Sequence, residues 1–234
     1  MARAALDIKD LHAWYGDSHV LHGMTFHVEE GEVVTLLGRN GAGKTTTMRA
    51  LMGSGVRRQG EIIVGGVDVV DMPSHKIAHL GLAWCPEERG IFSSLSVQEN
   101  LMLPPEVKPG GLSVEEIHDM FPRLKERAKS QGTKLSGGEQ QMLAIARILR
   151  TGAHTLLLDE PTEGLAPIIV KQIGRIIAQL RERGFTIVLV EQNFHFASTL
   201  ADRNYVVDRG RVIDMIPNHA LAENKEKLIG YLGV

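Results

Sequence analysis

The chain has one cysteine, Cys85, in 234 residues, so no internal disulfide can form and a reducing cytoplasm suits it. It also lacks any apolar run near the ~20 residues that a membrane-spanning helix needs, so any membrane role must run through a partner. The start, Met-Ala-Arg-Ala-Ala, has no long apolar core of the kind a secretion signal carries. Charge of one sign is missing too: 26 Lys and Arg face 28 Asp and Glu, for a formal net charge of −2. That balance gives no hint of a nucleic-acid surface. There is no internal repeat and no low-complexity tract. What remains is 43% hydrophobic, enough to bury a sizeable core in one α/β domain with an inserted subdomain.

One segment fixes the chemistry. Gly38-Arg39-Asn40-Gly41-Ala42-Gly43-Lys44-Thr45 has the pattern G-x-x-x-x-G-K-[ST] and follows the apolar run Val33–Leu37. The next residues, Thr45 to Met52, read as a helix. Glycines leave successive backbone N–H groups free to point at one phosphate chain, and the helix start adds partial positive charge. The pattern predicts Lys44 on the β- and γ-phosphates of a nucleotide and the Thr45 hydroxyl on Mg²⁺.

A second block, Leu135-Ser136-Gly137-Gly138-Glu139-Gln140-Gln141, opens the apolar, helix-favouring run Met142–Leu149. Ser136 and Glu139 have capping-box spacing, which predicts a helix N-terminus with uncovered glycine amides. Further on, Thr155–Leu158 runs into Asp159-Glu160. A continuous apolar run of this kind is a buried parallel strand, and acids at its carboxyl end lie where open α/β sheets bind ligands.

The remaining organisation is coarser. Met24–Val28 alternates like a half-exposed strand, and Glu61–Val64 with Gly65-Gly66 reads as a strand and tight turn. Pro104–Gly111 is a linker, and Ser113 to Glu116 is a second capping box, opening a helix that ends near Pro122. Thr186–Val190 is a further core strand ending in Glu191-Gln192, and a late hairpin turns at Asp208-Arg209-Gly210.

Together these motifs resemble the ATPase subunit of an ABC transporter, from an aromatic near residue 15 to a switch region near residue 192. Gly38–Thr46 resembles the Walker A loop, Leu135–Gln141 the LSGGQ signature, and Leu156–Glu160 the Walker B strand. The resemblance implies a P-loop ATPase with a RecA-like core, an N-terminal antiparallel β-subdomain and an inserted α-helical subdomain. Core and β-subdomain would cover about 1–87 and 151–234, and the helical subdomain about 88–150. ATP and Mg²⁺ are the implied cofactors. Glu160 would orient and deprotonate the attacking water, with Lys44 and Gln192 at the γ-phosphate, while Asp159 and Glu87 would join Thr45 around the metal. Tyr15 would stack on adenine, with Trp14 as its competitor. Ser136, Gly137 and Gly138 would contact nucleotide held by a second subunit, so that two subunits sandwich two ATP molecules.

Three positions depart from the general ABC pattern. Glu87 stands where Gln is usual, Gln192 where a switch His is usual, and Ala166 where the loop after Walker B commonly ends in Asp. His195, three residues beyond Gln192, reads as a bystander. These departures bear on the rate of hydrolysis and not on ATP binding. With Glu163–Pro167, Val190–Asn193 and the ending Gly230–Gly233, they resemble the LivF-type ATPases of branched-chain amino acid importers. That implies a peripheral subunit on the cytoplasmic face of the inner membrane, paired with a second ATPase of the same or another sequence. It docks on permease subunits, through residues of about 88–103, and never touches the solute. An exporter ATPase, a soluble ABC ATPase and a weakly hydrolysing regulatory subunit are the rival readings.

Overall fold

The computed structural model describes residues 3–232 of the chain; Met1, Ala2, Gly233 and Val234 lie outside the described residues, including one residue of the Gly230–Gly233 ending. Two long strands, β1 (Ala4–Tyr15) and β2 (Ser18–Glu29), pair antiparallel. The chain then leaves for a second sheet as β3 (Val33–Leu37), turns through the glycine loop into α1 (Lys44–Leu51), and returns as β4 (Arg57–Val64) and β5 (Val67–Asp68). The first sheet has the order β2-β1-β4-β5, all antiparallel.

β1 did not announce itself in sequence. Its ladder with β4 shifts register between Lys9 and His12, and Asp10 there takes φ 47. A bulge of this kind inserts a residue and breaks the alternation by which a strand is recognised.

The rest of the chain supplies α2 (Ser74–Ala78), β6 (Leu82–Cys85), α3 (Val97–Met102), α4 (Val114–Met120), α5 (Pro122–Glu126) and α6 (Gly137–Leu149). After these come β7 (Thr155–Asp159), α7 (Pro167–Glu182), β8 (Thr186–Glu191), α8 (Phe194–Ser198), β9 (Arg203–Asp208), β10 (Arg211–Pro217) and α9 (Lys225–Leu232). The second sheet runs β10-β9-β3-β8-β7-β6, parallel except for β10.

Both faces of this sheet are covered, which is why its inner strands read as unbroken apolar runs. Leu156, Leu158, Ile187 and Leu189 point into one core with residues of α4 to α7. Leu157, Val188, Val190 and Leu36 point into the other, with α1 and the antiparallel sheet. Each such side chain, fully buried, contributes roughly 1.5–3 kcal/mol. α7 packs on the first face through Ile173, Ile176, Ile177 and Leu180, a spacing of one helix stripe. The parallel strands β3, β7 and β8 therefore end side by side, and the loops after them converge. The α/β architecture, with its antiparallel sheet and helices between β6 and β7, is the one the sequence predicts.

The capping boxes at Ser113 and Ser136 are both formed, each with its Glu reaching back to the cap N–H. A third, Ser96 with Glu99, starts α3. Buried Asn100 then accepts from Phe92 N–H and donates to the carbonyls of Phe92, Leu95 and Ser96, fixing the loop before α3.

Candidate functional site

The loop after β3 is packed so that only glycine fits at its entry: a Cβ on Gly38 would stand 2.3 Å from the Val207 carbonyl oxygen of β9. Gly43 precedes α1 at φ 107, and Thr47 N–H and Oγ1 both bond its carbonyl at 2.9 Å. Lys44, buried at 4% exposure, folds back over the loop. Its Nζ donates to the carbonyls of Gly38 at 2.8 Å and Arg39 at 3.1 Å, and lies 3.2 Å from Glu160 Oε1.

β7 delivers the two acids. Glu160 takes φ 46, an uncommon conformation for a residue with a side chain, and its N–H bonds the Val190 carbonyl of β8. Burial opposes its ionisation, but bonds from Glu163, Gln192 and Lys44 outweigh that and hold its carboxyl below the ordinary value. Asp159 is fully buried, accepts from Thr45 Oγ1 at 3.1 Å, and is pushed up to about 6 by burial. Its other oxygen, Oδ2, is buried with no hydrogen-bond partner.

β8 delivers Glu191 and Gln192. Glu191 accepts from Thr162 Oγ1 at 2.7 Å, and burial pushes its carboxyl up to about 7. Gln192 Nε2 donates to Glu160 Oε2 and to Asn40 Oδ1.

The result is a cleft of about 300 Å³, lined by Val20, Asn40, Gly41, Gly43, Lys44, Thr45, Thr46, Glu87, Glu160 and Glu163. Most of the residues expected there are brought together. Gly38, Arg39 and Ala42 belong to the loop but do not line the cleft, Arg39 being exposed and Ala42 buried. Tyr15 is 40% exposed at the end of β1 and is not among the lining residues. Trp14 is stacked on His19, with centroids 4.4 Å apart, and lies under the Arg57 guanidinium. Ser136, Gly137 and Gly138 sit at the start of α6, outside the cleft. His195 is exposed on α8 and does not line the cleft.

Two lining residues escaped the sequence reading. Val20 lies on β2, where nothing but its place in a β strand marks it. Glu163 is three residues past Glu160, and its bond to the Glu160 carboxyl, before burial, drives its own carboxyl up to about 7.

Among the described residues no group of three His, Cys, Asp or Glu is disposed to hold a metal ion. A cation that also binds phosphate oxygens needs fewer protein ligands, and the orphan Asp159 Oδ2 beside the Thr45 hydroxyl is such an incomplete oxygen set. Those residues fit Mg²⁺. Glu87 lines the same cleft.

A family model described as ABC transporter matches residues 21–163. The chain belongs to that family and is an ABC-type ATPase, the ATP-binding subunit of a transporter. The high-affinity branched-chain amino acid transport ATP-binding protein BraG of Pseudomonas aeruginosa is 43% identical over 97% of this chain and 99% of its own length. The lipopolysaccharide export system ATP-binding protein LptB of Escherichia coli is 36% identical over 98% of each chain. Among solved structures, an ATP-binding cassette of an ABC transporter in its ADP conformation matches with TM-score 0.82 at 21% identity, covering 99% of this chain and 100% of that one. No helix among the described residues is long and apolar enough to cross a membrane.

Proposed function

We propose that this ATPase drives a membrane importer of branched-chain or related amino acids. The observation that carries this is the 43% identity to the branched-chain amino acid protein over nearly the full length of both chains. The segments Glu163–Pro167 and Val190–Asn193 add support. Export is the second reading, favoured by the 36% identity to the lipopolysaccharide export protein. Uptake of labelled leucine, isoleucine and valine in cells lacking the gene separates them. Lost uptake that returns with the gene supports import; unchanged uptake with a lipopolysaccharide transport defect supports export.

Hydrolysis is mostly positioning and charge stabilisation. Thr45 and Asp159, with Glu87 at the cleft wall, would hold Mg²⁺, which neutralises charge on the phosphate oxygens when bound. Lys44 exchanges its contacts with Gly38, Arg39 and Glu160 for the β- and γ-phosphates. Glu160 orients the attacking water and takes its proton. Gln192, anchored on Asn40, holds the Glu160 carboxylate and donates toward the γ-phosphate. Gly41, Gly43 and Thr46 offer backbone amides to the phosphate chain, and Tyr15 covers the adenine.

Ser136, Gly137 and Gly138 serve the nucleotide of a second ATPase subunit, since they lie outside their own cleft. Residues 88–150 act as the helical subdomain, and 1–87 with 151–234 as the core and β-subdomain. Phe92, Met102 and Leu103, about half exposed, belong to the face that meets the permease, so the subunit works as a peripheral protein on the cytoplasmic side of the membrane. Phe92→Asp should abolish uptake while leaving ATP binding intact; unaltered uptake would remove that face from the reading.

A further inference from the structure

The turn after β6 is held at both ends. Arg89 N–H bonds the Pro86 carbonyl at 3.1 Å, and Arg89 and Gly90 take φ values of 61 and 58. A left-handed backbone is uncommon for arginine, so the surroundings must hold it there. The surroundings are α6. Arg89 Nε donates to Gln141 Oε1 over 3.1 Å. Its Nη1 lies so close above Gly137 that a Cβ on that glycine would stand 3.2 Å away. Arg147 of α6 closes the contact from the other side, donating to the Gly90 carbonyl at 2.5 Å, with its guanidinium over the Phe92 ring. Meanwhile Glu87, two residues before Arg89, lines the ATP cleft.

We propose that Arg89 is a positioning residue for ATP hydrolysis: seated on Gly137 and bonded to Gln141, it sets the first turn of α6 relative to Glu87 in the cleft. This rests on the reading that the 135–141 segment serves nucleotide. Arginine suits the task because its rigid fork can set Nη1 over the glycine while Nε donates to Gln141. Lysine keeps the charge but has no such fork.

Arg89→Ala, Arg89→Lys and Gln141→Met are compared with wild type in two assays. The first is steady-state phosphate release with binding of a fluorescent ATP analogue. The second is amide hydrogen exchange at Glu139 to Gln141 without nucleotide. In all three variants kcat is expected to fall by about tenfold or more, with KM and the analogue Kd within about twofold. The α6 amides should exchange about tenfold faster. Combining Arg89→Ala with Gln141→Met should add little to either loss, because both break one link.

Wild-type kcat and exchange in Arg89→Ala overturn the inference, as does full activity in Arg89→Lys. If Arg89→Ala fails to fold, Gln141→Met decides alone, by the same two readouts. A wild-type protein without turnover would sink the hydrolysis reading separately, and the exchange rates would still decide Arg89.

Discussion

Gln192 Nε2 lies 2.7 Å from Glu160 Oε2 and 2.5 Å from Asn40 Oδ1. One amide thus joins the end of β8 to the acid after β7 and to the glycine loop after β3. An amide does not titrate near neutral pH, so this link has the same form across that range. Gln192→Ala removes both bonds, and kcat should drop about 10- to 100-fold while ATP affinity changes little. Phosphate release alongside equilibrium ATP binding checks it; an unaltered kcat rejects the role.

Glu160→Gln keeps the size of the side chain and removes its basicity. Turnover should fall by about 10²- to 10⁴-fold, the span of general-base contributions, with ATP still bound. Light scattering of this variant with Mg-ATP also reports whether two copies close on each other. A mass that stays at one subunit, with ATP bound, points to an obligate pair with a different ATPase.

Asp159→Asn addresses the orphan Oδ2. Burial disfavours the Asp159 charge and pushes its carboxyl up to about 6, so the neutral counterpart should melt higher without ligand above about pH 6, by about 2–4 °C per kcal/mol. The same change should erase the strengthening of ATP binding by Mg²⁺. Thermal melts with ATP, with and without Mg²⁺, read both effects.

Glu191 makes stability depend on pH. Burial at 3% exposure and the Glu160 charge outweigh the bonds from Thr162 and the Asn193 N–H, so it holds its proton to about 7 when folded, against 4.5 in the free side chain. The folded state therefore binds more protons than the unfolded chain between these values. Its contribution is fully present below about 4.5 and is lost as pH rises through about 7, amounting to about 3 kcal/mol. Denaturation midpoints should fall between about pH 5 and about pH 8, and Glu191→Gln should reduce that fall by its own share, Asp159 and Glu163 supplying the rest. Equal slopes in the two proteins would place the pH dependence elsewhere.

Gly38→Ala puts a methyl group 2.3 Å from the Val207 carbonyl oxygen, which is backbone and cannot swing aside. β9 must move, costing about 1–3 kcal/mol and disturbing the loop that Lys44 braces. Urea unfolding and ATP titration of the same sample test both.

The legible parts of this protein were those where sequence and structure share a period. β3, β7 and β8 are buried on both faces, so the largely apolar runs Val33–Leu37, Leu156–Leu158 and Ile187–Val190 declared them. The glycine loop and the Ser136 cap follow fixed spacings and were found the same way. β1 was hidden by its bulge at Asp10. Val20 and Glu163 reach the cleft through the packing of β2 against α1 and the turn at Glu160. No spacing encodes such contacts, because they depend on which elements lie together.

The lone cysteine makes the molecule its own reporter. Cys85 ends β6 fully enclosed, its thiol pushed up to about 12 by burial, with the Gln141 amide 3.7 Å from the sulfur. At 1% exposure it is poorly reached by a thiol reagent until the packing of β6 against α6 loosens. The labelling rate of the unaltered chain is therefore a clock for that loosening. It runs without an introduced probe, and can be read with nucleotide absent, bound or spent.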